Sequence, residues 1–344
     1  MATRTAPSRP AAWYRLREAA YDAIYVSPHM DDAVYSCGGQ MALARASGAR
    51  ILIVTIFGTG SNDESGRGLF DDIAQRKREE RAACDLLDLD HVWLNLPDVM
   101  FRKKSPLELA RYWASFERLP ERPLRRQARS TLHALALRLL APAGRLYFPL
   151  AVGGHPDHRE SYELGRTLHV ELSSRIAFYE DVPYAQVSAL REERLRQLGL
   201  EVRAKRSLLR ESREVGAFVF GRERGLRKQL GLALVGSHLA AMRALTRLRG
   251  SRDPIAPRLR LQEHDIGSVV DLKVAAMRAY ETQTAYFYPR GDDIYGVLCR
   301  AGDRYVERTW TLEPSELERP QAIEPAQLSR ELAWVDGLVR SARS

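Results

Sequence analysis

Short apolar runs alternate with amphipathic stretches along the first half of the chain. The runs at 23–27 (AIYVS), 50–57 (RILIVTIF), 91–95 (HVWLN) and 145–149 (RLYFP) are apolar and partly β-branched, as in strands buried on both faces of a sheet. Apolar positions at helical spacing predict helices over 34–47, 70–88 and 106–140. Strands separated by helices of that length require right-handed crossovers and a parallel sheet. The expected fold class is α/β: a Rossmann-like, mainly parallel sheet flanked by helices.

The second half weakens this pattern. Residues 175–179 (RIAFY) predict another strand, and 268–284 predict an amphipathic helix. Residues 186–262 are mostly helical in pattern, arginine-rich and poor in strand signals, so they are expected to form a helical insertion. Within them, 225–249 combine an apolar face with basic ends. That suits a helix packed on the domain; the alternative is a helix lying on a membrane surface or a partner. The expected organisation is a single domain over 20–344 with an N-terminal extension at 1–19. The glycine-rich stretch 58–68 lacks the order of a phosphate cradle and is expected to be an active-site loop.

Two strands end in unusual chemistry. Ser27-Pro28 stops the first, because proline cannot donate to a ladder, and His29, Met30, Asp31 and Asp32 follow. The carboxyl ends of strands are where open α/β sheets carry ligands. Adjacent carboxylates there raise each other's pKa unless a cation holds them. After the strand at 145–149, the stretch AVGGHPDHRE places two of the chain's eight histidines, His155 and His158, three residues apart. Pro156 suits a first helical turn, and residues i and i+3 share a helix face. His29, Asp32 and one of His155 or His158 make a His₂Asp set. Three N/O ligands with one open position suit catalytic rather than structural zinc, although Fe²⁺ or another divalent ion fits the same donors. Asp31 and the leftover histidine then provide base and electrophile for hydrolysis of an amide or ester.

Composition adds boundaries. The net charge of +9 over 344 residues favours anionic partners. Cys37, Cys84 and Cys299 are scattered without metal-like spacing, so reduced thiols and a cytoplasmic location are expected. The N-terminus carries no apolar signal core, and no run approaches the length of a membrane span.

SPHMDDA followed by HPDH resembles the LmbE-like, or PIG-L, family of zinc-dependent N-deacetylases. The likeness extends to Arg76-Lys77-Arg78-Glu79, to Asp98 in LNLPDV, to FYEDVPYA (178–185) and to the Lys273, Tyr280 and Gln283 helix. It covers about 20–185 and 265–300. It implies His29, Asp32 and His158 as metal ligands, Asp31 as general base, and His155 as the group that steadies the tetrahedral intermediate and helps protonate the leaving amine. Asp157 would orient a histidine, and Arg76 and Asp98 would hold sugar hydroxyls. Two positions depart from the family motif: Met30 replaces its proline, and Ala33 its glutamate.

The function so implied is removal of an N-acyl group, acetyl first of all, from an N-acetylglucosamine-type sugar or glycoconjugate, with attack by zinc-bound water. An amidase acting on a thiol conjugate or natural-product glycoside is the alternative with the same site. A basic nucleic-acid or membrane-surface binder is the alternative from another class, but such a binder has no use for Asp31 and Asp32 beside His29. The expected partner is therefore a sugar or glycoconjugate, for which an anionic form suits the charge, with no nucleic acid and at most peripheral membrane contact.

Overall fold

The computed structural model describes residues 14–15, 20–59, 72–102, 122–172, 175–200, 207–220, 253–288, 294–313 and 325–343, with single helical positions at 237, 240 and 244. Most of the 225–249 segment and of the glycine-rich 58–68 stretch, and the start of the expected 106–140 helix, lie outside these.

The described strands are β1 (Tyr14–Arg15), β2 (Tyr21–Ser27), β3 (Ile51–Thr59), β4 (Asp90–Pro97), β5 (Leu140–Pro149), β6 (Ile176–Tyr179), β7 (Leu259–Asp265), β8 (Arg300–Ala301) and β9 (Arg304–Leu312). They form one sheet in the order β1-β4-β3-β2-β5-β6-β9-β7, with β8 on β9. The five apolar runs of the sequence are the five central strands, and each of their ladders is parallel. The edges are antiparallel: β1 on β4, β9 on β6 and β7 on β9. The sheet is therefore mixed, with a parallel core.

The edge strands correct the sequence reading. Residues 259–262, expected to close the helical stretch, open β7. Residues 260–263 of β7 are exposed, so the strand carries no apolar run. It exists because all seven of its residues pair with β9.

The described helices of seven residues or more are α1 (Asp32–Ala46), α2 (Ile73–Leu86), α3 (Arg122–Leu139), α4 (Pro156–Leu172), α5 (Ser188–Leu198), α6 (Leu208–Phe220), α7 (Val270–Arg278), α8 (Glu281–Phe287) and α9 (Pro325–Arg343). The predicted 268–284 helix is thus two helices, α7 and α8, broken at Ala279–Tyr280. One face of the sheet packs Leu132, Leu135, Leu164, Leu168 and Val335 against Phe148 and Phe178. The other packs Val34, Cys37, Met41, Ala83 and Met277 against Tyr25 and Ile53. These are the three layers of an α/β sandwich.

Helix α1 is buried continuously from Asp32 to Ala42, as a helix apolar on most sides must be. Gly39 lets Ile266 approach it, since a Cβ there would lie 2.7 Å from Ile266 Cγ2. The backbone N–H groups of Gly39 and Gln40 donate to the Glu307 carboxylate at 2.8 and 2.6 Å. Lys273 Nζ completes that buried carboxylate at 2.5 Å. Helix α1, which begins at the first motif, is thereby tied to β9 and α7.

The topology places the two motifs together. β2 leads through α1 to β3 on one side, and β5 leads through α4 to β6 on the other. β2 and β5 are neighbours, so their carboxyl ends bracket the crevice where strand order reverses.

Candidate metal and active site

Ser27 shapes the turn after β2. Its hydroxyl donates to the carbonyl of His29 at 2.5 Å and accepts the N–H of Ala33 at 3.0 Å. Pro28 and Met30 need supply no polar group to hold this turn, and Ala33 packs into the apolar cluster of α1. The His29 N–H donates to Asp32 Oδ2 at 2.9 Å, which aims that carboxylate back across the turn.

The second turn is tighter. Ala151 and Gly153 adopt φ of 63° and 81°, and Gly154 follows at 71°. Positive φ at a non-glycine residue carries strain of order ~1 kcal/mol. The result delivers His155 immediately before Pro156 opens α4, as the helix-start chemistry of proline predicts.

The two turns meet. The rings of His29, His155 and His158 stand with centroids 5.0–5.4 Å apart. Ligand atoms of these three residues all lie within 4.8 Å of one another, as do those of His29, Asp98 and Asp157. Asp32 Oδ2 lies 3.1 Å from His29 Nδ1 and 3.2 Å from His158 Nε2.

The far nitrogens of two rings have carboxylate partners. His29 Nε2 faces Asp157 Oδ2 at 3.1 Å and Asp98 Oδ2 at 3.2 Å. The Val99 N–H donates to the same Asp157 oxygen at 3.0 Å and holds it in place. His158 Nδ1 faces Asp181 Oδ1 at 2.6 Å, and the other Asp181 oxygen accepts the Val152 N–H at 2.9 Å. A proton on the far nitrogen of each ring leaves His29 Nδ1 and His158 Nε2 as lone pairs beside Asp32. His155 is arranged the opposite way. Its Nδ1 accepts the Asp157 N–H at 3.2 Å, so its neutral ring carries the proton on Nε2 and is a donor.

This arrangement fits a divalent cation. Two N/O ligands at 2.0–2.1 Å from a tetrahedral ion are about 3.3 Å apart, close to the spacing of Asp32 Oδ2 from each of its two histidines. Carboxylates behind ligating histidines are the usual way such rings are oriented. Charge agrees. Burial opposes a charged His29, yet Asp98, Asp157 and Asp32 together raise its pKa. Burial likewise opposes a charge on His158, and Asp32 and Asp181 raise it to about 10. The carboxylates thus favour positive charge at the point where these histidines meet.

Asp31 and Asp32 share an address but not an environment. Burial and the charge of Asp32 push Asp31 up to about 6, while Arg76 and His29 work against that rise. Burial also disfavours ionised Asp32, but His158 and His29 outweigh it and hold Asp32 well below the usual carboxylate range. Burial and the neighbouring His29 and His158 lower His155 to about 3, so it is neutral.

Every site residue singled out in the sequence lies in this region. Arg76 does so in an unexpected way: its Nη2 is 3.6 Å from Asp31 Oδ1, and the residue is 7% exposed. Asp98 turns to His29, with its Oδ2 at 3.2 Å from Nε2. Lys273, Tyr280 and Gln283 are buried beside α1 and α2, not in the histidine cluster. Ser27 and Asp181 also stand at the site, without a spacing signal in the sequence. Asp181 lies within FYEDVPYA, a stretch marked in the sequence by family likeness and not by any spacing to His158.

Residues 24–169 match the family model described as GlcNAc-PI de-N-acetylase, PIG-L. No curated protein matches the chain. Among solved structures, a deacetylase of teicoplanin biosynthesis resembles it with a TM-score of 0.56 and 18% identity, covering 86% of this chain and 99% of that one. The A40926 pseudoaglycone deacetylase Dbv21 resembles it with a TM-score of 0.52 and 17% identity, over 88% of this chain and 99% of that one. At such identities the likeness is one of fold, and it reaches beyond the 24–169 match. The likeness to the PIG-L, or LmbE-like, family is carried by residues 24–169, fewer than half of the chain.

Proposed function

We propose that the protein is a metal-dependent deacetylase that hydrolyses the N-acetyl group of an N-acetylglucosamine-type sugar or glycoconjugate. The observation that carries this reading is the opposed arrangement of the three histidines. Asp157 and Asp181 take the far protons of His29 and His158 and leave two lone pairs beside Asp32, while the Asp157 N–H leaves His155 a donor. His29, Asp32 and His158 would hold the ion. Zinc is the expected ion, and ferrous iron suits the same donors. When bound, such an ion supplies a Lewis acid and lowers the pKa of water to near neutrality.

The chain's own groups do the remaining work. Asp31, beside the ligand Asp32, accepts the proton of the attacking water. Arg76 keeps Asp31 oriented and favours its ionised form. His155 presents Nε2–H to the carbonyl oxygen or to the leaving nitrogen. A donor aimed at developing charge is worth about 3–4 kcal/mol of barrier. Asp98, more exposed at 14% of its side chain than Asp32 or Asp157 beside His29, would meet a sugar hydroxyl.

A natural-product glycoside is the second reading of the substrate. What supports it is the fold likeness to the teicoplanin and A40926 deacetylases, which covers most of this chain and nearly all of theirs. Among the described residues no helix is long and apolar enough to cross a membrane.

The test is elemental analysis of wild type, Asp32→Ala and His158→Ala, followed by amine release from N-acetylated amino sugars. About one divalent ion per wild-type chain, lost in both variants together with amine release, is expected. A folded wild type that takes up no metal on reconstitution overturns the reading.

A further inference from the structure

One wall of the site is aromatic. Tyr184 opens the 3-10 turn Tyr184–Gln186, just after Asp181. Its ring meets the ring of His158 at 88°, with centroids 5.6 Å apart. On its other side stands Phe218 of α6, at 6.0 Å. Gly153, in the turn that delivers His155, makes room for it: a Cβ there would lie 2.6 Å from Tyr184 Cδ1. The ring is therefore fixed between the second motif and the segment after 186 that the sequence pattern left without a function.

Its hydroxyl is uncommitted. Tyr184 is only partly buried, and among the described residues its hydroxyl has no hydrogen-bond partner. The phenol is close enough to Asp32, Asp31 and Asp181 for their charges to act on it. A phenol with an ordinary pKa near 10 keeps its proton at neutral pH, so it can donate. Three carboxylates near it cannot. An amide carbonyl under attack in this crevice needs donors as its oxygen takes on charge, and His155 Nε2–H is one such donor.

We propose that Tyr184 is a further catalytic residue, whose O–H donates to the acyl carbonyl oxygen as that oxygen gains charge. The proposal rests on the deacetylase reading. The aromatic ring and its contacts with His158, Gly153 and Phe218 survive in Tyr184→Phe, so this variant isolates the hydroxyl.

The experiment compares the zinc-reconstituted full chain with Tyr184→Phe on p-nitrophenyl N-acetylglucosaminide and on its N-trifluoroacetyl analogue, reading amine release and bound zinc. On the acetyl substrate, kcat is expected to fall on the order of 10²-fold, with KM within about twofold, since the contact forms only in the transition state. On the trifluoroacetyl substrate the loss is expected to be smaller, because its less basic oxyanion depends less on donors. Unchanged kcat on the acetyl substrate overturns the proposal. An equal loss on both substrates, or a loss that follows departed zinc, also overturns it, because packing alone would produce either. Wild type that binds zinc but turns over neither substrate overturns the deacetylase reading and this proposal with it.

Discussion

Asp181 Oδ1 lies 2.6 Å from Nδ1 of His158, across 23 positions of sequence. His158 stands at the start of α4, and Asp181 follows β6, the strand that α4 leads to. The pair therefore closes the same crossover that places His158 at the crevice. Because Asp181 also accepts the Val152 N–H, it braces the turn before His155 as well. One buried carboxylate thus orients both ends of the second motif.

Asp181→Asn is expected to weaken zinc binding about 10–100-fold, the usual cost of losing a carboxylate behind a ligating histidine. Competition with a chromophoric chelator measures it. Equal affinity for both proteins would show that the 2.6 Å contact does not orient His158 for metal.

Gly153→Ala is expected to lower both stability and activity. The φ of 81° disfavours any side chain there, and the added Cβ would meet the Tyr184 ring at 2.6–2.9 Å. Backbone strain alone is worth about 1–2 kcal/mol, and displacement of Tyr184 adds to it. Urea denaturation and amine release check the two halves separately.

Lys273→Met is expected to destabilise by about 3–5 kcal/mol, because it leaves Glu307 buried and without its cation. Lys273 and Glu307 are 2% and 3% exposed. The double variant Lys273→Met, Glu307→Gln should recover much of the loss. A single variant within about 1 kcal/mol of wild type in urea would contradict the buried pair's role.

Glu80 gives the protein a pH dependence away from the histidines. Burial raises its pKa from an ordinary 4.5 to about 8, against the hydrogen bonds from Thr55 and Trp93. Between those two values the folded chain keeps a proton that the unfolded chain releases. Its contribution is therefore full below the unfolded pKa and is lost as pH rises through the folded one. Glu80→Gln removes this contribution, and its amide can still accept from Trp93 Nε1–H and donate to Thr55. Urea midpoints at pH 5 and pH 8 should fall more in wild type than in the variant. Parallel losses would place the pH dependence elsewhere.

The central strands were legible because their signals are local. Apolar runs such as RILIVTIF are buried whatever their neighbours, and Ser27-Pro28 stops a strand on steric grounds alone. The same locality put His29, Asp31, Asp32, His155 and His158 at strand ends, where an α/β sheet binds ligands. Family likeness added Arg76, Asp98 and Asp157. All three lie at the site, with Asp98 and Asp157 on His29 Nε2 and Arg76 on Asp31.

What tertiary structure alone decided was partnership. No spacing rule says that Asp181 serves His158, that Asp157 Oδ2 takes a His29 nitrogen while its own N–H takes His155, or that Tyr184 fills the space above Gly153. Those relations depend on how β2, β5 and β6 register and on which side each crossover returns. The edge strand β7 belongs to the same class: its residues are mostly exposed and polar, and only the β9 ladder makes them a strand. A sequence states which groups are available. Long-range packing decides which nitrogen keeps a lone pair, because proton placement follows the partner across the fold and not the neighbour along the chain.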